Sequence, residues 1–147
     1  MARVKFGLRT RVPPDRVISM LIDFSPSRPD VWPMLARELY EVYRLGPHSG
    51  DVKEGSLYPA LIWERSHYEW SADRVRWTVQ ESNYCALGSF VEVTVRPSAS
   101  GGSKLHVDWN RKGVGVKGKT LIALVVLTRG ANIRCKVFER AFDRVLE

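Results

Sequence analysis

Two spacings of apolar residues divide this chain, and the place where one gives way to the other limits what it can fold into. "VKFGLRTRV", "LYEVYRL", "GSLYPA", "LIWERSHYEWS", "RVRWTVQES", "GSFVEVTVRP" and "KLHVDWN" repeat apolar side chains mostly at every second position. A period of two sends alternate side chains to opposite faces, so each run reads as a strand with one buried face. The turns between them, Gly46-Pro47, Ala72-Asp73 and "SASGGS" at 98–103, are too short for the crossover that parallel neighbours require. An antiparallel sheet follows. From about Val116 to Leu146 the period becomes helical, through Leu121, Leu124, Val125, Ile133, Val137, Phe138, Ala141 and Phe142.

Between the first and second runs the same helical spacing occurs twice, briefly. Pro13-Pro14-Asp15 stops the first strand and opens a helix carrying Val17, Ile18, Leu21 and Ile22; proline suits a first turn, where its missing N–H has no partner. "SRPDVWPMLA" opens a second, with Val31, Trp32 and Leu35. Pro59 marks an edge or bulge in the third strand, because it cannot donate to the ladder. Gly130-Ala131-Asn132 predicts a kinked or locally broken C-terminal helix. The reading is an α+β fold: strand, two short helices, six strands and one long helix, in a single domain over 1–147.

Composition narrows the function. At 44% hydrophobic and 27% charged residues, the 147-residue chain is ordinary for a soluble globular protein. Its longest apolar run, Leu121–Leu127, falls far short of the ~20 residues of a membrane span, so no stable membrane insertion is expected. The N-terminus has no apolar stretch of a secretion signal, and two cysteines, Cys85 and Cys135, lie at neither metal nor disulfide spacing. Reduced thiols in the cytoplasm are expected. No cofactor or metal is implied: His48, His67 and His106 are scattered, and His67 with Glu69 on one strand face makes only two ligands.

The net charge of +7 lies wholly in residues 74–147, with a cluster at Arg111, Lys112, Lys117 and Lys119. Such a cluster suits nucleic acid, an anionic membrane surface, an acidic ligand or simply a solvated face. No recognition helix or RNA-binding signature accompanies it, so nucleic acid is not the expected partner. Gly113–Thr120, "GVGVKGKT", also matches the phosphate-loop pattern G-x-x-x-x-G-K-[ST]. That loop serves the first crossover of a parallel sheet, with later strands supplying a metal-binding aspartate. Only helix follows here, so no nucleotide is expected, and the glycines let the last strand turn into the helix.

The ordered set "RPDVWPML…LYEVYRLG", "WERSHYEWS…RVRWTVQESN", "GSFVEVTVRP…GGSKLHVDWNR" and the terminal helix resembles the START/polyketide-cyclase superfamily, also called SRPBCC, over essentially the whole chain. The resemblance implies a helix-grip fold: a curved seven-stranded antiparallel sheet wrapped around a long C-terminal helix, with an apolar cavity between them. It also implies a hydrophobic small-molecule ligand, a lipid or a polyketide, and in some members cyclisation or dehydration of a bound polyketide.

Strand alternation nominates the lining. Ile62, Glu64, Tyr68 and Trp70 share one face of their strand with Ser66, while Trp63, Arg65, His67 and Glu69 take the other. Trp77, Val79, Val93, Val107 and Trp109 continue the inward surface, and Leu124, Leu127, Arg134 and Phe138 are expected on the helix side. Glu64 is either an acid–base carboxyl with a pKa raised by apolar surroundings or the partner of a nearby arginine. Tyr68 and Asn83 are the other candidate catalytic groups. Ligand identity and oligomeric state stay open.

Overall fold

The computed structural model describes residues 2–58, 60–127 and 130–146, with the backbone alone for 130–135 and 145. Strand β1 (Ala2–Thr10) is followed by helices α1 (Pro14–Leu21) and α2 (Arg28–Val31) and a 3-10 turn at Arg37–Leu39. Strands β2 (Glu41–Leu45), β3 (Ser49–Ser56), β4 (Ile62–Trp70), β5 (Arg74–Ser82), β6 (Phe90–Pro97) and β7 (Ser103–Arg111) come next, then helices α3 (Gly115–Leu127) and α4 (Gly130–Leu146). The seven strands form one curved sheet in the order β1-β7-β6-β5-β4-β3-β2, antiparallel at every pairing. This is the α+β antiparallel arrangement that the two spacings predict and the helix-grip architecture that the resemblance implies.

The inner face of the sheet carries Leu8, Val52, Tyr68, Val75, Val79, Val93, Val95, Leu105, Val107 and Trp109, all buried. Val17, Ile18 and Leu21 of α1 join this core, with Ile122 of α3 and Ala141 and Phe142 of α4. Helix α1 lies against β5 and β6, whereas α3 and α4 lie against β1 and each other. Helix α3 is apolar almost all round, yet it buries only Gly118 and Ile122 fully.

Two boundaries differ from the sequence reading. The third strand is "SGDVKEGS", not "GSLYPA"; its buried positions are Gly50, Val52 and Glu54, so two of three lack the apolar side chain that reveals a strand. Pro59, used to place it, lies outside the described residues. Helix α2 stops at Val31 because Trp32 precedes Pro33, whose ring disfavours helical backbone one residue upstream; Trp32 is extended, at φ −96° and ψ 110°. The C-terminal segment is described as two helical stretches, with Gly130–Asn132 inside the second; residues 128–129 between them lie outside the described residues.

Sheet irregularities matter at two places. The β4–β5 register shifts between Arg65 and Ser66, which returns Ser66 to a position opposite Val79. At the outer edge the β2–β3 register shifts between Val42 and Arg44.

Candidate functional site

Strand register brings the predicted lining residues into rows across the inner face. Trp70, Val75, Val93, Val107 and Phe6 are successive partners on five strands. One row along, Tyr68, Trp77, Val91 and Trp109 are successive partners, and the Tyr68 and Trp77 rings stack with centroids 5.3 Å apart. Phe24 closes on Tyr68 edge-on at 4.8 Å, a preferred aromatic geometry. The opposite face of β4 differs in character. There His67 meets Asp51 at 2.8 Å and Glu69 at 3.7 Å, and Lys53 lies over the Trp63 ring.

Two buried carboxylates interrupt this apolar surface, and they are direct partners: Glu54 on β3 opposes Glu64 on β4. Like charges so placed repel, and buried carboxylates need partners. Each glutamate has its own arginine. Arg28 donates from Nε to Glu54 at 2.5 Å, and its Nη1 donates to the Leu21 and Asp23 carbonyls at 3.0 and 3.1 Å. Its guanidinium also lies 4.7 Å from the Phe24 ring centre. Tyr68 donates its hydroxyl to the second Glu54 oxygen.

Arg111, at the end of β7, reaches across the inner surface to Glu64 although β5 and β6 separate their strands. Its Nη1 and Nη2 donate to the two carboxylate oxygens, the second at 2.9 Å. Tyr84 donates to Glu64 at 2.8 Å, and Ser66 donates at 3.4 Å. Arg111 Nε is buried with no hydrogen-bond partner among the described residues.

These contacts settle how Glu64 behaves. Burial alone pushes its carboxyl upward, but the Arg111 charge and the hydrogen bonds from Arg111, Tyr84 and Ser66 prevail and hold it below the ordinary 4.5. Of the two alternatives that the sequence left open for Glu64, these contacts favour the ionised partner of an arginine over the raised-pKa acid. Tyr68 and Tyr84 move the other way: burial raises both well above the ordinary phenol value, and the neighbouring glutamates add to the rise. Burial likewise raises the Cys85 thiol, whose Sγ lies 3.7 Å from Arg111 Nη1.

Other nominated residues fall elsewhere. Asn83 braces loops: its Oδ1 accepts the Trp63 N–H at 2.8 Å and its Nδ2 donates to the Leu61 carbonyl at 3.1 Å. Leu124 is half exposed and Leu127 more so, because α3 turns Gly118 and Ile122 to the core instead. Phe138 packs on Phe6 and Trp32 rather than on the Tyr68–Trp77 pair. Ile62 is partly buried at the start of β4, and the Arg134 side chain lies outside the described residues. The two hollows whose linings are described, about 230 and 290 Å³, sit at the other end of the sheet beside Arg9 and Ser98. None of the nominated lining residues borders them.

Sequence reasoning missed Arg28, Glu54 and Tyr84. Glu54 stood just before the run "GSLYPA", in residues assigned to no strand, and Arg28 was one charge in a short helix. The only available signal was register, since correct pairing of β3 with β4 sets Glu54 against Glu64.

The basic cluster divides: Arg111 is buried, while Lys112, Lys117 and Lys119 are exposed. Nor does Gly113–Thr120 form a phosphate cradle. Gly118 N–H donates to the Val114 carbonyl and Val114 N–H to the Tyr84 carbonyl, so two amides are already engaged. A Cβ at Gly118 would run into the Tyr84 carbonyl, and one at Gly113 into the Gly118 backbone, so close packing demands both glycines. Among the described residues no His, Cys, Asp or Glu cluster suits a metal ion, and no helix is long and apolar enough to cross a membrane.

No protein-family model and no curated protein matches this sequence. Solved structures do match the fold. A protein from Thermus thermophilus is similar over 99% of this chain and 97% of its own, with a TM-score of 0.78 and 14% identity. A START superfamily protein from Mycobacterium smegmatis covers 97% and 98%, with a TM-score of 0.69 at 14% identity. The aromatase/cyclase Zhui from a Streptomyces species covers 98% and 95%, with a TM-score of 0.69 at 15% identity. The chain thus has a START-like helix-grip fold.

Proposed function

We propose that this chain is a cytoplasmic binding protein for an apolar small molecule bearing an oxygen acceptor, a lipid or a polyketide, held between the sheet's inner face and α3. The observation that carries this reading is the Arg111–Glu64 pair, ionised inside an apolar surface with one arginine donor unspent. A buried N–H without an acceptor costs about 1–3 kcal/mol, and a ligand carbonyl or hydroxyl would recover it. Apolar surroundings then supply about 0.8 kcal/mol per buried CH₂. Helix α3, anchored by Gly118 and Ile122, is the cover that would move to admit such a molecule.

Native mass spectrometry of protein purified from its own host tests this. An oxygen-containing apolar ligand should co-purify and be lost on Arg111→Lys, which keeps the charge but removes the Nε–H. A ligand-free spectrum, together with no uptake of added lipids or polyketides, defeats the proposal.

A second reading is a polyketide cyclase/dehydratase. The Tyr84 hydroxyl donates to the ionised Glu64, so the pair could take up a proton from a bound polyketide by relay through the phenol, and aromatase/cyclases share the fold. Tyr84→Phe should then abolish turnover of a poly-β-ketone while leaving its binding intact. No turnover by the unsubstituted chain defeats this second reading alone.

A further inference from the structure

One end of the sheet is unlike the other in what it leaves in water. Three connections meet there: β3–β4 (57–61), β5–β6 (83–89) and β7–α3 with the first turn of α3 (112–120). They are laced together. The Leu61 carbonyl accepts from Asn83 and from Lys117 Nζ. Ala86 N–H donates to the Lys112 carbonyl at 2.8 Å, and Val114 N–H to the Tyr84 carbonyl at 2.9 Å.

Leu57, Tyr58 and Leu61 on the first connection, Leu87 on the second, and Val114 and Val116 on the third are each 50 to 86% exposed. A lone exposed leucine is ordinary; six large apolar side chains on one laced tip are not. Those segments also hold Lys112, Lys117 and Lys119 and no aspartate or glutamate.

We propose that this tip docks peripherally on an anionic lipid bilayer, the aliphatic side chains entering the headgroup boundary and the lysines meeting lipid phosphates. Apolar groups flanked by cations are the requirement for lying in that interface without crossing it. The charge pattern disfavours a second copy, since two tips would bring like charges together in a chain of net charge +7. Nucleic acid fits less well: five of the six side chains are aliphatic, which leaves Tyr58 as the one stacking face among them, and no arginine is exposed on the tip. Docking needs no ligand within the sheet, so failure of one proposal leaves the other standing.

Vesicle flotation with the full chain tests the docking, using phosphatidylcholine alone and phosphatidylcholine with about one-third phosphatidylglycerol as the anionic lipid. The chain should float with the anionic vesicles and release as salt rises. Lys112→Glu and Lys119→Glu should each weaken partitioning at least ~5-fold, and Leu87→Ser and Val116→Ser ~10-fold each. Lys104→Glu, the same charge change at the other end of the sheet, should leave it unchanged. Circular dichroism checks that every variant folds. The proposal is overturned if the chain ignores anionic vesicles or binds neutral ones equally. It is also overturned if the tip variants float like the parent chain, or if they instead abolish self-association or oligonucleotide binding.

Discussion

The two buried ion pairs stand on opposed residues of neighbouring strands, yet they are finished differently. Arg28 holds Glu54 with Nε and backbone carbonyls with Nη1, and three aromatic rings surround its charge. It fastens the segment between α1 and α2 onto the sheet. Arg111 engages Glu64 with both Nη atoms and keeps Nε in reserve. Buried ion pairs are poor stabilisers, because desolvation offsets their attraction. At equal burial the two arginines differ in hydrogen bonding, and the proposed ligand contact at Arg111 rests on that difference.

The largest effects should come from breaking either pair. Arg28→Met and Arg111→Met each strand a buried carboxylate and should cost about 3–5 kcal/mol in urea unfolding. Replacing both partners by apolar residues should recover most of that loss at either site. Only the Arg111→Met/Glu64→Leu double variant should lose the co-purifying ligand; equal loss from Arg28→Met/Glu54→Leu would erase the distinction. Next, Tyr68→Phe should cost about 1.5–3 kcal/mol, because it strips the hydroxyl from one Glu54 oxygen. Tyr84→Phe should cost less, since Glu64 keeps Arg111 and Ser66.

Acid unfolding sharpens the comparison further. Glu64 is held below 4.5 in the folded chain, so as pH falls the unfolded chain takes up that proton first. Stability contributed by this group is present above about pH 4.5 and is lost as pH drops through the depressed folded value. A Glu64→Gln chain should show a flatter acid limb than the parent; an unchanged limb contradicts the ionised pair. The smallest effect concerns the two faces of β4. Trp70→Ala should weaken uptake of an apolar dye more than Trp63→Ala, whose ring faces outward under Lys53.

How much of this was legible in the chain follows from what each residue signals by itself. Val75, Val93, Val107 and Trp109 announce an inner face by spacing, and the structure buries all four. The antiparallel order follows from turn length alone. β3 was missed because glycine and glutamate occupy buried positions there, and hydropathy treats both as loop. The α3 positions failed for the opposite reason: with apolar residues on nearly every side, periodicity could not choose Ile122 over Leu124. Arg111 carried no local mark, for its partner lies 47 residues away and on a strand that is not its neighbour. Long-range electrostatics becomes readable only once register is fixed.

The irregular outermost strand also bears on solubility. β2 has five residues, slips register beside Tyr43, and bears Glu41 and Arg44 along its rim. An incoming extended peptide would find mismatched amide spacing and charges where it needs a continuous ladder. β2 is therefore a poor template for the lateral addition of another strand.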